Sequence, residues 1–136
     1  MKITGGCHCG AITYEAEVDP GKVSVCHCTD CQTLTGSAFR IVVPAKREGF
    51  KLKGEPKIYV KTGESGRRRA QGFCYNCGTP IYSADVADPQ VFNIRVGTAR
   101  QRADRHQICT FGGSSARCRA VPTRMLNTCG SATSAE

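Results

Sequence analysis

The sequence predicts an all-β fold of several small antiparallel sheets. Two observations carry that reading: apolar and polar residues alternate in short runs through about residue 98, and Gly, Pro and Asp interrupt those runs at close intervals. A third bears on how such a fold holds together, because seven of the ten cysteines stand in three tight clusters within the first 77 residues. At 136 residues the chain has the length of one domain, large enough for a modest core.

From Ala11 to Val18 the chain alternates, with Ile12, Tyr14, Ala16 and Val18 on one face and Thr13, Glu15 and Glu17 on the other. Asp19-Pro20-Gly21 ends that run as a turn. Val23 and Val25 continue the period of two into the second cysteine cluster. The pattern predicts one short helix, Thr29 to Leu34, with Thr29 as its cap. Phe39 to Val43 reads as a strand closed by Pro44, and further strands are expected at about Phe50–Lys53, Lys57–Lys61, Arg68–Phe73, Ile81–Ser83 and Val91–Val96. Gly54-Glu55-Pro56, residues 62–66 and Ala87-Asp88-Pro89 are the turns between them, and Gly5-Gly6 is read as a turn as well. Nothing repeats at a solenoid period.

The clusters are Cys7-His8-Cys9, Cys26-His27-Cys28 with Cys31, and Cys74-Tyr75-Asn76-Cys77. Cys-x-Cys neighbours bridge poorly to each other but can both face one ion, so metal is preferred to a disulfide scaffold, and there is thiolate enough for about two zinc ions. Cys74 to Gly78 has the form of a zinc knuckle, two ligands around a tight turn with Gly supplying the left-handed conformation. Such a knuckle supplies half of a tetrahedral site, and Cys7 to Gly10 has the same design. Cys7, Cys9, Cys74 and Cys77 are therefore assigned to one closed, structural zinc that braces the sheets.

Cys26, Cys28 and Cys31 supply three thiolates and no evident fourth ligand, the pattern of a catalytic or ligand-binding zinc. His27, His8, Asp30 or a late cysteine could fill the gap and leave the site inert. Each histidine, however, sits between two ligand cysteines, where its side chain would point away from the ion. A three-thiolate zinc is a feeble Lewis acid for water and is better suited to a soft sulfur guest, which makes a thiol the natural ligand.

The formal charge of +8 and pI near 9.1 suit an anionic partner, although seven thiolates on two Zn²⁺ would subtract about three charges. Arg67-Arg68-Arg69 reads as a solvated turn or strand end, or else as an anion site. Tyr14, Tyr59, Tyr75 and Tyr82 stand where core packing accounts for them, so nucleic acid is not an expected partner. No Ser-His-Asp set, phosphate loop or dinucleotide fingerprint is present. The start, Met-Lys-Ile-Thr-Gly-Gly-Cys, has no apolar leader and no run approaches the roughly 18 apolar residues of a membrane span. The chain is expected to be soluble and cytoplasmic, without a membrane partner.

Several motifs in series resemble one family. They are Gly6-Cys7-His8-Cys9-Gly10-Ala11, Cys26-His27-Cys28-Thr29-Asp30-Cys31-Gln32, Thr35-Gly36-Ser37-Ala38-Phe39, Gly54-Glu55-Pro56, Phe73-Cys74-Tyr75-Asn76-Cys77-Gly78-Thr79-Pro80-Ile81 and Val96-Gly97-Thr98. Together they resemble the glutathione-dependent formaldehyde-activating enzyme (GFA), or centromere protein V, domain family of the Mss4-like folds. The resemblance implies an all-β, zinc-braced domain over residues 3–98. It implies one zinc on Cys7, Cys9, Cys74 and Cys77 and a second, catalytic zinc on Cys26, Cys28 and Cys31. The activity it implies is addition of the glutathione thiol to formaldehyde or a related aldehyde, giving S-hydroxymethylglutathione, a carbon–sulfur lyase reaction. Arg40 and Arg67 to Arg69 are candidates for holding a glutathione carboxylate. The alternative is a non-enzymatic zinc-braced module that binds protein or nucleic acid. Residues 99–136 depart from the family pattern: this chain has no Trp and its end lacks apolar periodicity, so an irregular segment is expected there. Cys109, Cys118 and Cys129 remain unassigned, read as free thiols.

Overall fold

Eight strands and one short helix follow the alternating pattern of the chain in a computed structural model, which describes residues 1–63 and 66–100. The strands are β1 (Lys2–Gly6), β2 (Thr13–Val18), β3 (Ser24–Cys26), β4 (Arg40–Lys53), β5 (Lys57–Thr62), β6 (Arg68–Phe73), β7 (Pro80–Asp85) and β8 (Val91–Arg95), and the helix is α1 (Thr29–Thr35). All pairings are antiparallel. The all-β expectation holds, and the several small sheets expected are joined edge to edge into one eight-stranded sheet, in the order β1-β2-β4-β8-β7-β6-β5 with β3 also paired to β4. Among the described residues no helix is long and apolar enough to cross a membrane.

The strand β2 buries Tyr14, Ala16 and Val18, with Ile12 just before it, and turns Glu15 and Glu17 to solvent, as its alternation predicts. An expected turn and an expected strand end both lie within strands instead. Gly5-Gly6 belongs to β1, where Gly is required because a Cβ on Gly5 would lie 2.2 Å from the Tyr14 ring. Pro44 does not close its strand, since β4 runs for 14 residues through it and Pro44 pairs with Asn93 of β8. On its other side β4 meets β3 up to Val42 and β2 from Ala45 onward, so the missing N–H of Pro44 falls where one neighbour hands over to the next. In α1 the capping residue is Cys28, not Thr29, which is the first helical residue.

One face of the sheet forms the core, with Ile3, Ile12, Val43, Ile81 and Ile94 almost fully buried. Each such side chain contributes about 1.5–3 kcal/mol. Tyr14, Phe50, Tyr82 and Phe92 pack as an aromatic group within it, ring centroids 4.9–5.8 Å apart. The alternate residues of the central strands, Arg40, Gln71, Ser83, Asn93 and Arg95, fall on the opposite face, which is mostly polar but also carries the buried Val42. Ser83 and Arg95 are nonetheless buried there.

Candidate metal centres

Cys7 follows β1 and Cys74 follows β6, and each opens a knuckle of the same build. In the first, the Cys7 N–H donates to the Ile12 carbonyl and Gly10 turns back to Cys7 with φ of 81°. In the second, the Cys74 N–H donates to the Thr79 carbonyl and Gly78 turns back to Cys74 with φ of 69°. A side chain would be strained at either glycine. The knuckles meet, and the Sγ atoms of Cys7, Cys9, Cys74 and Cys77 all lie within 4.8 Å of one another. Cys7 to Cys9 is 3.5 Å and Cys9 to Cys74 is 3.7 Å. Sulfurs on a tetrahedral zinc would be about 3.8 Å apart, so the cluster fits such an ion closely. Its anionic form is prepared by donors: the Ile12 N–H points at Cys7 Sγ at 3.2 Å, and the Thr79 hydroxyl lies 3.1 Å from Cys77 Sγ. Hydrogen bonds from the Thr79 side chain and backbone hold the Cys77 thiol down at about 5.

The second cluster is local. Cys26 ends β3, Cys28 caps α1 and Cys31 lies in its first turn, with sulfur separations of 3.5 Å and 3.1 Å along that series. These three could hold an ion as well. Burial, with the neighbouring Cys28 and Cys26 thiols, pushes Cys31 up to about 12. Cys26 is lowered, by the Cys28 N–H first and then by Cys31. One sulfur ready to ionise beside another that keeps its proton is a set in which a cation can replace protons.

The second cluster contributes all three of its cysteines to one pocket of ligand size, whereas of the first cluster only Cys7 lines a cleft, beside Thr79 and Thr98. That pocket, about 400 Å³, is lined by Cys26, Cys28 and Cys31 together with Arg40, Tyr59, Lys61, Arg69 and Gln71. Asp30 lies on its rim, paired with Lys61 at 3.3 Å. The two histidines point elsewhere, as their position between cysteines predicts: His8 is exposed, and the ring of His27 packs against Phe39 at 5.7 Å. The arginine run is divided. Arg69 lines the pocket and also lies 3.8 Å from Asp85, whereas Arg67 binds Asp85 at 2.8 Å and does not line the pocket. Of the tyrosines, Tyr14 and Tyr82 are core residues, but Tyr59 is half exposed at the pocket and Tyr75 lies out on the knuckle. Cys109, Cys118 and Cys129 lie outside the described residues.

Sequence reasoning missed Tyr59, Lys61, Gln71 and Arg95 as neighbours of this cluster. The signal for Arg95 was present, since Phe92 and Ile94 alternate with Asn93 and Arg95. Tyr59 and Lys61 reach the site through the β5–β6 pairing, which no local pattern announces.

Over 80 residues, 59% of its length, the chain is 30% identical to a Schizosaccharomyces pombe protein named as an uncharacterized lyase. The match spans 56% of that relative, so the chain corresponds to about half of it. A crystal structure of a Rhodobacter sphaeroides protein has the same fold, with a TM-score of 0.58 over 73% of this chain and 89% of that one at 20% identity. Residues 2–111 match the glutathione-dependent formaldehyde-activating enzyme family, across both cysteine clusters and into the segment after Thr98. The chain belongs to the family of glutathione-dependent formaldehyde-activating enzymes.

Proposed function

We propose that this chain is a zinc-dependent carbon–sulfur lyase that joins the thiol of glutathione to formaldehyde or a related small aldehyde. The observation that carries the reading is the contrast in ligand number: four cysteines close one cluster, while three open the other onto a pocket lined with cations. Cys7, Cys9, Cys74 and Cys77 would hold a structural zinc, and Cys26, Cys28 and Cys31 a second. An ion on those three cysteines supplies a vacant position that keeps a guest thiol deprotonated near neutral pH.

The chain's own residues bind and orient. Arg40 and Arg69 flank the pocket and suit the two carboxylates of glutathione, with Lys61 adding charge at the rim. Tyr59 gives the ligand an apolar wall. With the sulfur fixed against the three cysteines, an aldehyde entering from solvent meets it at the carbonyl carbon. A carbon–sulfur bond forms, the carbonyl π pair moves to oxygen, and that oxygen takes a proton from water. The product is the S-hydroxymethyl adduct, with no redox change. A cytoplasmic setting would keep the seven thiols reduced.

Cobalt substitution tests this reading. A fourth sulfur entering the second site should change the visible and charge-transfer absorption when glutathione is added, while S-methylglutathione should bind much more weakly. Equal binding of the two, or no spectral change at millimolar glutathione, would leave a non-enzymatic binding module as the better account.

A further inference from the structure

Arg95 is an anomaly of the polar face. It lies in the central strand β8 and is 5% exposed, yet among the described residues it has no carboxylate partner. Its Nη2 donates to the neutral Gln71 Oε1 at 2.8 Å, and its Nε and Nη1 are buried without a partner among the described residues. Burying a guanidinium in that way is costly unless negative charge lies nearby. The sheet supplies a candidate. Arg95 pairs with Val42 on one side of β4, and two residues along the same face Arg40 pairs with Cys26 on the other side. Gln71, which holds Arg95, lines the pocket together with Cys31 and Arg40. Burial and repulsion from Arg40 lower Arg95 to about 10, whereas negative charge on Cys31 acts the other way; it stays protonated at neutral pH.

The pocket holds more cations than carboxylates, since Arg40, Lys61 and Arg69 line it with Asp30 alone and Arg95 adds a further positive charge, so an anionic guest relieves an excess. Three thiolates around a divalent ion carry −1, and a fourth thiolate makes −2. Resting on the reading that the second cluster holds a divalent ion and takes a thiol, we propose that Arg95 is a positioning residue whose buried charge makes the site select anionic sulfur over neutral donors, without touching the guest. Arg40 lines the pocket directly. Arg95 lies beneath it, locked in place by Gln71.

The test uses the full-length cobalt-substituted protein and two probes that carry no carboxylate: 2-mercaptoethanol, which binds as a thiolate, and imidazole, which binds neutral. Affinities are read from the cobalt absorption spectrum. Arg95→Met should weaken mercaptoethanol about tenfold, the lower range for a residue behind a metal ligand, and leave imidazole unchanged. Arg95→Lys should restore most of the thiolate affinity because it restores the charge. Should Arg95→Met fail to fold, Gln71→Glu keeps the guanidinium but gives it an internal carboxylate, and the same selective loss is expected. Equal loss for both probes, or no loss for either, overturns the proposal. So does a loss seen with mercaptoacetate but not with mercaptoethanol, which would make Arg95 a carboxylate clamp. If the unsubstituted protein responds to no thiol at all, the thiol-binding reading fails and the proposal with it; a normal response there with unchanged variants overturns the proposal alone.

Discussion

In the cluster of Cys7, Cys9, Cys74 and Cys77 the sulfurs are met by backbone amides and a hydroxyl, from Ile12 and Thr79. In the cluster of Cys26, Cys28 and Cys31 one amide, the Cys28 N–H, meets Cys26, and full charges stand nearby as well, with Arg40, Lys61 and Arg69 lining the pocket and Arg95 beneath it. Amide donors are fixed by the knuckle and serve one set of four sulfurs. Full charges act at longer range and can respond to whatever enters the open position. On the proposed reading, identical ligand atoms would serve bracing in one place and ligand capture in the other, and the difference would lie in ligand number and in what surrounds the sulfur.

The sharpest way to break that comparison is to remove one ligand from each cluster. Cys74→Ser should unfold or aggregate the chain, because a structural zinc contributes about 10 kcal/mol of apparent binding free energy to a small domain. Cys28→Ser, at an exposed position, should leave a folded protein by circular dichroism with its thiol response gone. Equal destabilisation by the two would make both ions structural. A smaller effect concerns order of release. A chelator should withdraw the Cys26–Cys28–Cys31 ion first, and alkylation followed by mass spectrometry should then label Cys26 and Cys28 before Cys7 and Cys74, which are buried, as Cys31 is. Simultaneous labelling would remove the distinction between open and closed sites.

The smallest effect tests the donors of the closed site. Thr79→Val deletes the hydroxyl that helps hold Cys77 at about 5, so the thiol should rise toward its ordinary 9.0. Protons then compete with metal at higher pH. The midpoint of acid-induced metal release should move up, with about a tenfold loss of affinity at neutral pH. The sign follows from the thiol being depressed in the folded chain: its contribution is full above 9.0 and is lost as pH falls through about 5. An unmoved midpoint would show that the backbone donors suffice.

Much of this was legible in the chain. The burial of β2 follows from its alternation, and both cysteine groupings follow from spacing and the two Cys-then-Gly knuckles. What was missed shares a cause. Gly5 looks like a turn until the Tyr14 ring lies over it, and Pro44 looks like a stop until two different neighbours are seen to meet beside it. Lys61 and Tyr59 join the pocket only because β5 folds back on β6. Each is set by pairing between distant segments, to which local propensity is blind.

The two clusters also differ in how much chain they close. Cys9 and Cys74 are 65 positions apart, whereas the second cluster lies within one turn and the strand before it. During synthesis the local set can grip an ion as soon as residues 26–31 emerge, at little cost in chain entropy. The distant set must wait for Cys77 to be made and for a long loop to close. The site proposed for chemistry could therefore be loaded before the distant set of four cysteines is complete.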